Sequence, residues 1–460
     1  MALEEEHRSS EGLRRALSNR QIQMMAIGGV LGVGLFYGAS LAVKLSGPGV
    51  LIDFVLCGVI AAIVMRALGE MTVENPLSGS FRHYAREQLG PGVGFVTGAM
   101  WWFYWTATVM SELAAIGKLV EYWFPAFPAW APGLIALVLF TASNLLAVQV
   151  FGELEYWFAI LKVFTVIVFM VFGLLIVTTG LFQGGHAVWF SNLWANGGFL
   201  PHGWLGVLAA MSLVVQAYSG IETLAVESAE TKNPGKMMTT AFRTVTFRVL
   251  FIYIGSIFVM LVAFPWTYIV GHSGSPYALL FSRIGIPLAA GIVNLLIILS
   301  GLSSCNTGLY GGSRMLFSMA RESELPMLAS SLNKNKVPHI AVWVTALMIS
   351  VGILVTYLAP NSVYVWITSA SAFASLWTWG VILVSELRFR KRANNDRKTL
   401  QYAMPFWPVL PIVGLLLLLL ALYAIVSSPL TQVSVFSGLI WLVLVSLYYL
   451  FRLRKHVQRS

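Results

Sequence analysis

Charge is the scarcest property of this sequence. Of its 460 residues only 10% are Asp, Glu, Lys or Arg, where a soluble domain carries about 25%. With 58% hydrophobic residues an ordinary water-soluble globule is excluded, and the chain reads as an all-α, polytopic membrane protein. Strand-like alternation is absent, which excludes a membrane β-barrel. Cysteine is nearly missing: Cys57 and Cys305 both sit in apolar runs and read as unpaired packing residues rather than a disulfide. The seven histidines lie in loops, tails or span ends without metal-ligand spacing, so neither a metal nor a cofactor is expected. GxSxG, HExxH and P-loop patterns are missing, which leaves an enzyme or an ATP-driven pump without support. A cleavable signal peptide is missing too. Residues 1–20 are polar and of mixed charge and are expected to form a cytoplasmic tail.

What the chain has instead is apolar length. Twelve runs stand out, at roughly 21–44, 49–73, 93–121, 131–150, 155–180, 203–227, 243–269, 286–310, 339–359, 362–387, 404–427 and 433–452. Runs of about 20 residues suffice to cross a bilayer as helices. Lys and Arg are missing from the odd-numbered connections and collect in the even-numbered ones, for example Arg82 and Arg86, Lys232 and Lys236, and Arg388 to Lys398; only the fourth connection is silent. Both tails are basic. The positive-inside rule then puts both termini in the cytoplasm. The net charge of +10 follows this topology, so nucleic acid is not an expected partner and the lipid bilayer is. Lys44, Lys118 and Arg283 near outer helix ends are expected to snorkel. Trp101, Trp102, Trp105, Trp123, Trp130 and Trp266 are expected in an interfacial belt.

The first run is unusual. Gly28, Gly29, Gly32 and Gly34 fall within seven positions, and each glycine weakens a helix by about 0.8–1.0 kcal/mol relative to alanine. Such a helix is expected to open at mid-membrane, which is tolerated only where the backbone lines an enclosed cavity. The freed amides from Val33 to Phe36 suit a carboxylate. The freed carbonyls from Gly28 to Leu31 suit an ammonium or a cation. Gly34 is expected to be the position where a side chain cannot be tolerated. A close-packing GxxxG role is the blander alternative. Run six carries a second breaker, Gln216-Ala217-Tyr218-Ser219-Gly220-Ile221-Glu222. Breakers opening each of two five-span halves point to a transporter site on an inverted repeat.

Charges inside spans are functional candidates by default. Lys162 lies deep in run five, where it can carry a proton or, when charged, stand in for a sodium ion. Glu112 and Glu222 are either acids of the same proton path or satisfied structural carboxylates. Glu153 and Glu155 open run five, where a helix N-terminus favours acids. Glu70 and Glu74 beside Arg66 are expected to form solvated ion pairs. Ser300, Ser303, Ser304, Asn306 and Thr307 give run eight a polar stretch.

Several stretches match a family. Gly28 to Phe36, Met65 to Met71, Ser78 to Phe81, Ser111 to Gly117, Phe151 to Val163 and Glu227 to Pro234 resemble the bacterial amino acid permeases, the amino acid transporter branch of the amino acid–polyamine–organocation superfamily. The resemblance implies the LeuT fold: a first repeat over 21–180, an inverted second over 203–387, two further helices over 404–452, and helices 1 and 6 broken. A short tail follows at 453–460. It also implies proton symport by alternating access. Carried over by position, the substrate carboxylate meets the amides of Val33, Gly34 and Leu35, and its amine meets carbonyls of Val30, Gln216, Ala217 and Ser219, beside Gly220. Lys162 fills a sodium position near Gly28, Leu31, Ser303 and Ser304. Met110, Val33 and Tyr218 are expected to shape the side-chain pocket. Two positions depart from the family pattern: Val33, often Ser, Thr or Ala in relatives, and Gln216, where an aromatic often caps the substrate. Tyr218 is the substitute expected for that cap.

The reading is an importer of neutral amino acids with protons in a bacterial inner membrane. The alternatives are an amino acid or polyamine exchanger on the same fold and a non-transporting nutrient sensor.

Overall fold

The structure is a computed structural model that describes residues 30–75, 80–145, 148–180, 189–227, 235–271, 275–283, 287–359, 362–395, 399–429 and 431–453. Residues 1–29, which include Gly28 and the N-terminal tail, the stretch 228–234 and residues 454–460 lie outside them. All regular structure among the described residues is helical, as apolar segments require when lipid cannot satisfy backbone polar groups. The helices are α1 (Ala39–Ser46), α2 (Val50–Glu74), α3 (Ser80–Leu89), α4 (Pro91–Val120), α5 (Trp130–Asn144), α6 (Val148–Thr179), α7 (Gly203–Tyr218), α8 (Thr223–Glu227), α9 (Gly235–Ala263), α10 (Trp266–Gly271), α11 (Pro276–Arg283), α12 (Pro287–Arg321), α13 (His339–Leu358), α14 (Val363–Asn395), α15 (Val409–Ser427) and α16 (Gln432–Tyr448). A π-helical turn, Gly34–Gly38, leads into α1.

By length and composition, eight helical stretches among the described residues qualify to cross a membrane, and Trp130–Asn144 and Val435–Phe451 are apolar but shorter. With 30 residues, α4 is long enough, yet its Trp, Tyr and Thr residues dilute its hydropathy. That composition has a packing reason. Helix α4 is the buried centre of the molecule and lies chiefly against α12 and α14. Trp101 and Trp105 are fully buried and Trp102 nearly so, which corrects the interfacial belt expected for these three. The glycines of α12 receive them: a Cβ on Gly308 would come within 2.6 Å of the Trp105 ring, and one on Gly311 within 3.2 Å of the Trp101 ring. The Trp102 indole N–H donates to Thr345 Oγ1 at 3.1 Å.

Two charge expectations are corrected as well. Helix α6 begins at Val148, so Glu155 lies inside it rather than at its N-terminus, and it is fully buried. Glu70 is not solvated but fully buried. It accepts from Arg390 Nη1 at 3.1 Å and from the Met404 amide. Arg66 turns elsewhere, donating to the Ala403 carbonyl at 2.5 Å and lying over the Tyr402 ring. Cys57 and Cys305 are free and buried, as expected of packing residues.

Candidate functional site

Regular winding is interrupted at both stretches within the described backbone. Val30 is helical, Leu31 and Gly32 leave the helix, and winding resumes at Val33. Gly32 is the residue that needs its missing side chain here. A Cβ would strike the Glu112 carboxylate and lie 2.9 Å from Ser304 Oγ. Gly34 has ordinary room among protein atoms, its nearest neighbour being Ala217 Cα at 3.7 Å. In the second break, Ser219 is extended and Gly220 takes φ +96°, a left-handed conformation that suits glycine. Winding resumes at Thr223.

The two breaks face a shared cavity of about 20 Å³, room for one water on a scale where each needs about 10–15 Å³. Its walls are Val30, Gly32 and Gly34 from the first break, Tyr104, Thr108, Ser111 and Glu112 from α4, Gln216, Ala217 and Ser219 from the second break, and Tyr364 from α14. The walls must part before an amino acid fits. Two larger cavities of about 630 and 660 Å³ have almost wholly apolar linings, such as Phe124, Ile135 and Leu139 in one and Leu415, Leu419 and Leu422 in the other. No set of polar groups converges on either, so they are grooves between apolar helix faces and not the site.

Protein groups hold the backbone anchors of both breaks. The Val33 amide donates to Glu112 Oε2 at 3.0 Å. The Tyr253 hydroxyl on α9 lies 2.8 Å from the Val30 carbonyl and 2.7 Å from the Ala217 carbonyl. One phenolic proton thus ties the two broken helices together. Ser300 Oγ donates to the Leu31 carbonyl at 2.6 Å, and Ser303 Oγ donates to Glu155 Oε1. Ser304 instead sits against Gly32. Lys162 is buried, and Glu155 and Glu112 are the carboxylates whose charge acts on it. Glu222 is held on both oxygens: Oε1 accepts from the Trp101 indole at 3.2 Å, and Oε2 accepts from the Trp379 indole and the Gly220 amide, each at 3.1 Å.

Of the residues expected to contact substrate, Val30, Gly34, Gln216, Ala217 and Ser219 line the cavity together with Glu112. Met110 does not: its side chain packs on Gly352 of α13, where an added Cβ would meet it. Tyr218 does not replace the aromatic cap, because its hydroxyl donates to the Phe54 carbonyl at 3.0 Å and its ring stacks on Tyr253. Val33, Leu35 and Gly220 are buried but do not line the cavity, and the Gly220 amide donates to Glu222. Tyr104, Thr108, Ser111, Tyr253 and Tyr364 were not singled out from the sequence as site residues, and Glu155 was read only as an acid at a helix start. For the α4 residues a signal existed. Positions 104, 108, 111 and 112 recur at helical spacing from Glu112, whereas 110 falls on the other side.

Several long apolar helices packed around a buried polar centre define a multi-pass membrane protein. A family model described as amino acid permease matches residues 21–460, and the chain belongs to that family. It is 42% identical over 444 residues to the uncharacterized amino acid permease YtnA of Bacillus subtilis (strain 168), covering 96% of each chain. It is 34% identical over 443 residues to the amino-acid permease AapA of the same organism, again covering 96% of each. To the aromatic amino acid transport protein AroP of Escherichia coli O6:H1 it is 35% identical over 442 residues, covering 96% of each.

Proposed function

We propose that this protein imports neutral L-amino acids together with protons across a bacterial inner membrane. It does so by alternating access on a twelve-span LeuT-type fold with both termini cytoplasmic. The observation that carries this reading is Glu112 on the Val33 amide, at the mouth of the first break, where a substrate carboxylate would compete for the same donor. The substrate carboxylate takes the amides of Val33, Gly34 and Leu35, where the helix dipole favours an anion. Its ammonium takes the carbonyls of Val30 and Ala217, which the Tyr253 hydroxyl gives up, and those of Gln216 and Ser219. Glu112, displaced from Val33, turns its charge toward Lys162. Glu155, anchored by Ser303, stays as a fixed counter-charge.

A protonated Lys162 holds the join between the first break and α12, and loss of that proton releases the join. A proton can drive the cycle only through its different affinity for the two states. Glu222 belongs to the scaffold in this scheme, because three donors from two helices and the second break already hold it. The test is uptake into proteoliposomes with an imposed pH gradient, beside counterflow with substrate on both sides. Uphill accumulation of a neutral amino acid is the expected result. Counterflow without accumulation would replace symport with exchange, and absence of both would remove the transporter reading.

A further inference from the structure

The mechanism above uses only the backbone of Gln216. Its side chain ends a directed chain of hydrogen bonds. Ser371 Oγ on α14 donates its one proton to the Tyr104 carbonyl at 3.2 Å. Toward Thr108 Oγ1, 2.7 Å away, Ser371 can therefore only accept, and Thr108 must donate. Thr108 in turn accepts from Gln216 Nε2 at 2.9 Å. A hydroxyl has one proton to give, so each link fixes the next. The chain orients the Gln216 amide with its nitrogen against α4 and leaves Oε1 as the outstanding group. That oxygen is buried and has no hydrogen-bond partner among the described residues, and Gln216 lines the cavity.

A buried carbonyl without a donor is costly, and a ligand that supplies the donor is favoured over an isostere that does not. Taking the cavity as the substrate site, as proposed above, we infer that Gln216 Oε1 reads the substrate side chain and selects small neutral amino acids whose side chain donates a hydrogen bond, a hydroxyl or a carboxamide. Tyr104 and Tyr364 close the same cavity and limit the size of that side chain.

Isosteric pairs test this in the purified full-length protein, since a ligand of the folded state raises the melting temperature. L-threonine is compared with L-valine, and L-serine with L-2-aminobutyrate, across a concentration series, with glycine and L-alanine alongside. The hydroxylated member is expected to act at concentrations about tenfold lower, and Gln216→Met is expected to collapse that ratio toward one. Thr108→Val, which cuts the chain that orients the amide, is expected to shrink it as well and serves if Gln216→Met fails to fold. Equal action of threonine and valine on the unaltered protein, or a ratio that survives Gln216→Met, overturns the inference while leaving the transporter reading standing. If no amino acid in the set, glycine and alanine included, shifts the melting temperature, the site reading itself fails and this inference fails with it.

Discussion

Glu112 and Glu222 invite comparison. Both are buried carboxylates beside a helix break, and both touch α4 or belong to it. Their surroundings differ in kind. Glu222 receives two indole N–H groups and a backbone amide, so its oxygens are spoken for and it ties α4, α14 and the second break together. Glu112 receives one backbone amide, and that amide is one the substrate carboxylate is proposed to use. It also acts on Lys162, as Glu155 does. A carboxylate locked on several sides holds a fold in place. One held by an exchangeable partner beside a cation can pass a charge along. Intramembrane acids of one sequence type thus divide by the number of donors around them, which sequence does not display.

The division breaks most visibly at Lys162. Lys162→Ala is expected to abolish uphill uptake in proteoliposomes with a pH gradient, while counterflow continues, since exchange needs no net proton movement. Wild-type accumulation by this variant would rule Lys162 out as an essential carrier. The two glutamines come next and should behave oppositely. Glu112→Gln keeps a carbonyl for the Val33 amide, so its melting temperature is expected to hold while uphill uptake falls to the level of exchange. Glu222→Gln leaves one buried donor facing an NH₂ group, at a cost of about 1–3 kcal/mol. It is expected to melt lower yet still accumulate substrate. If the phenotypes are exchanged, the assignment of the two acids is wrong.

A smaller effect separates two glycines of the first break. An alanine at 32 pushes Glu112 off the Val33 amide, whereas one at 34 meets Ala217 at ordinary distance. Gly32→Ala is expected to reduce uphill uptake about tenfold, the scale of one lost buried hydrogen bond. Gly34→Ala is expected to stay near wild type. Similar losses for both would extend the constraint to Gly34.

The breaks themselves were legible. Clustered glycines at 28–34 and the Ser219-Gly220 pair are backbone signals, and backbone effects act locally. Side-chain direction was not. Met110 lies two residues from Glu112 in sequence, but a helix turns about 200° in two residues, so it faces Gly352 instead of the cavity. The three α4 tryptophans looked interfacial because composition cannot distinguish a Trp facing lipid from one set against glycines of α12. Glu155 looked terminal because the apolar run starts later than the helix. Tyr253 is one of several hydroxyl residues in its apolar run, and its two carbonyl partners are remote in sequence, so only tertiary packing reveals it.

A second pair of neighbouring acids with unlike surroundings lies outside the membrane spans, where the difference has a pH signature. On α3, Arg82 is almost fully buried and grips Glu322 with both nitrogens, at 2.8 and 3.1 Å. It also pairs with Glu324, and Arg86 reaches both acids. Burial alone pushes the Glu322 carboxyl up, but the Arg82 guanidinium, helped by Arg86, brings it below the ordinary value. For Glu324 burial prevails over Arg82, with the neighbouring Glu322 adding to it, and its carboxyl is raised. The signs are therefore opposite. The Glu322 contribution is complete above the unfolded carboxylate value of about 4.3 and is lost as pH falls through its depressed folded value. The Glu324 carboxyl works against stability as pH rises from the unfolded value through its raised one, because the folded state then holds the extra proton. Melting temperatures of the wild type and Glu322→Gln should differ most near neutral pH and converge in acid. Those of Glu324→Gln should show a flatter fall with rising pH than the wild type. Because Arg82 keeps one carboxylate in either variant, both shifts should be small, and a pH-independent gap for Glu322→Gln would mean that its pairing with Arg82 contributes through packing rather than charge.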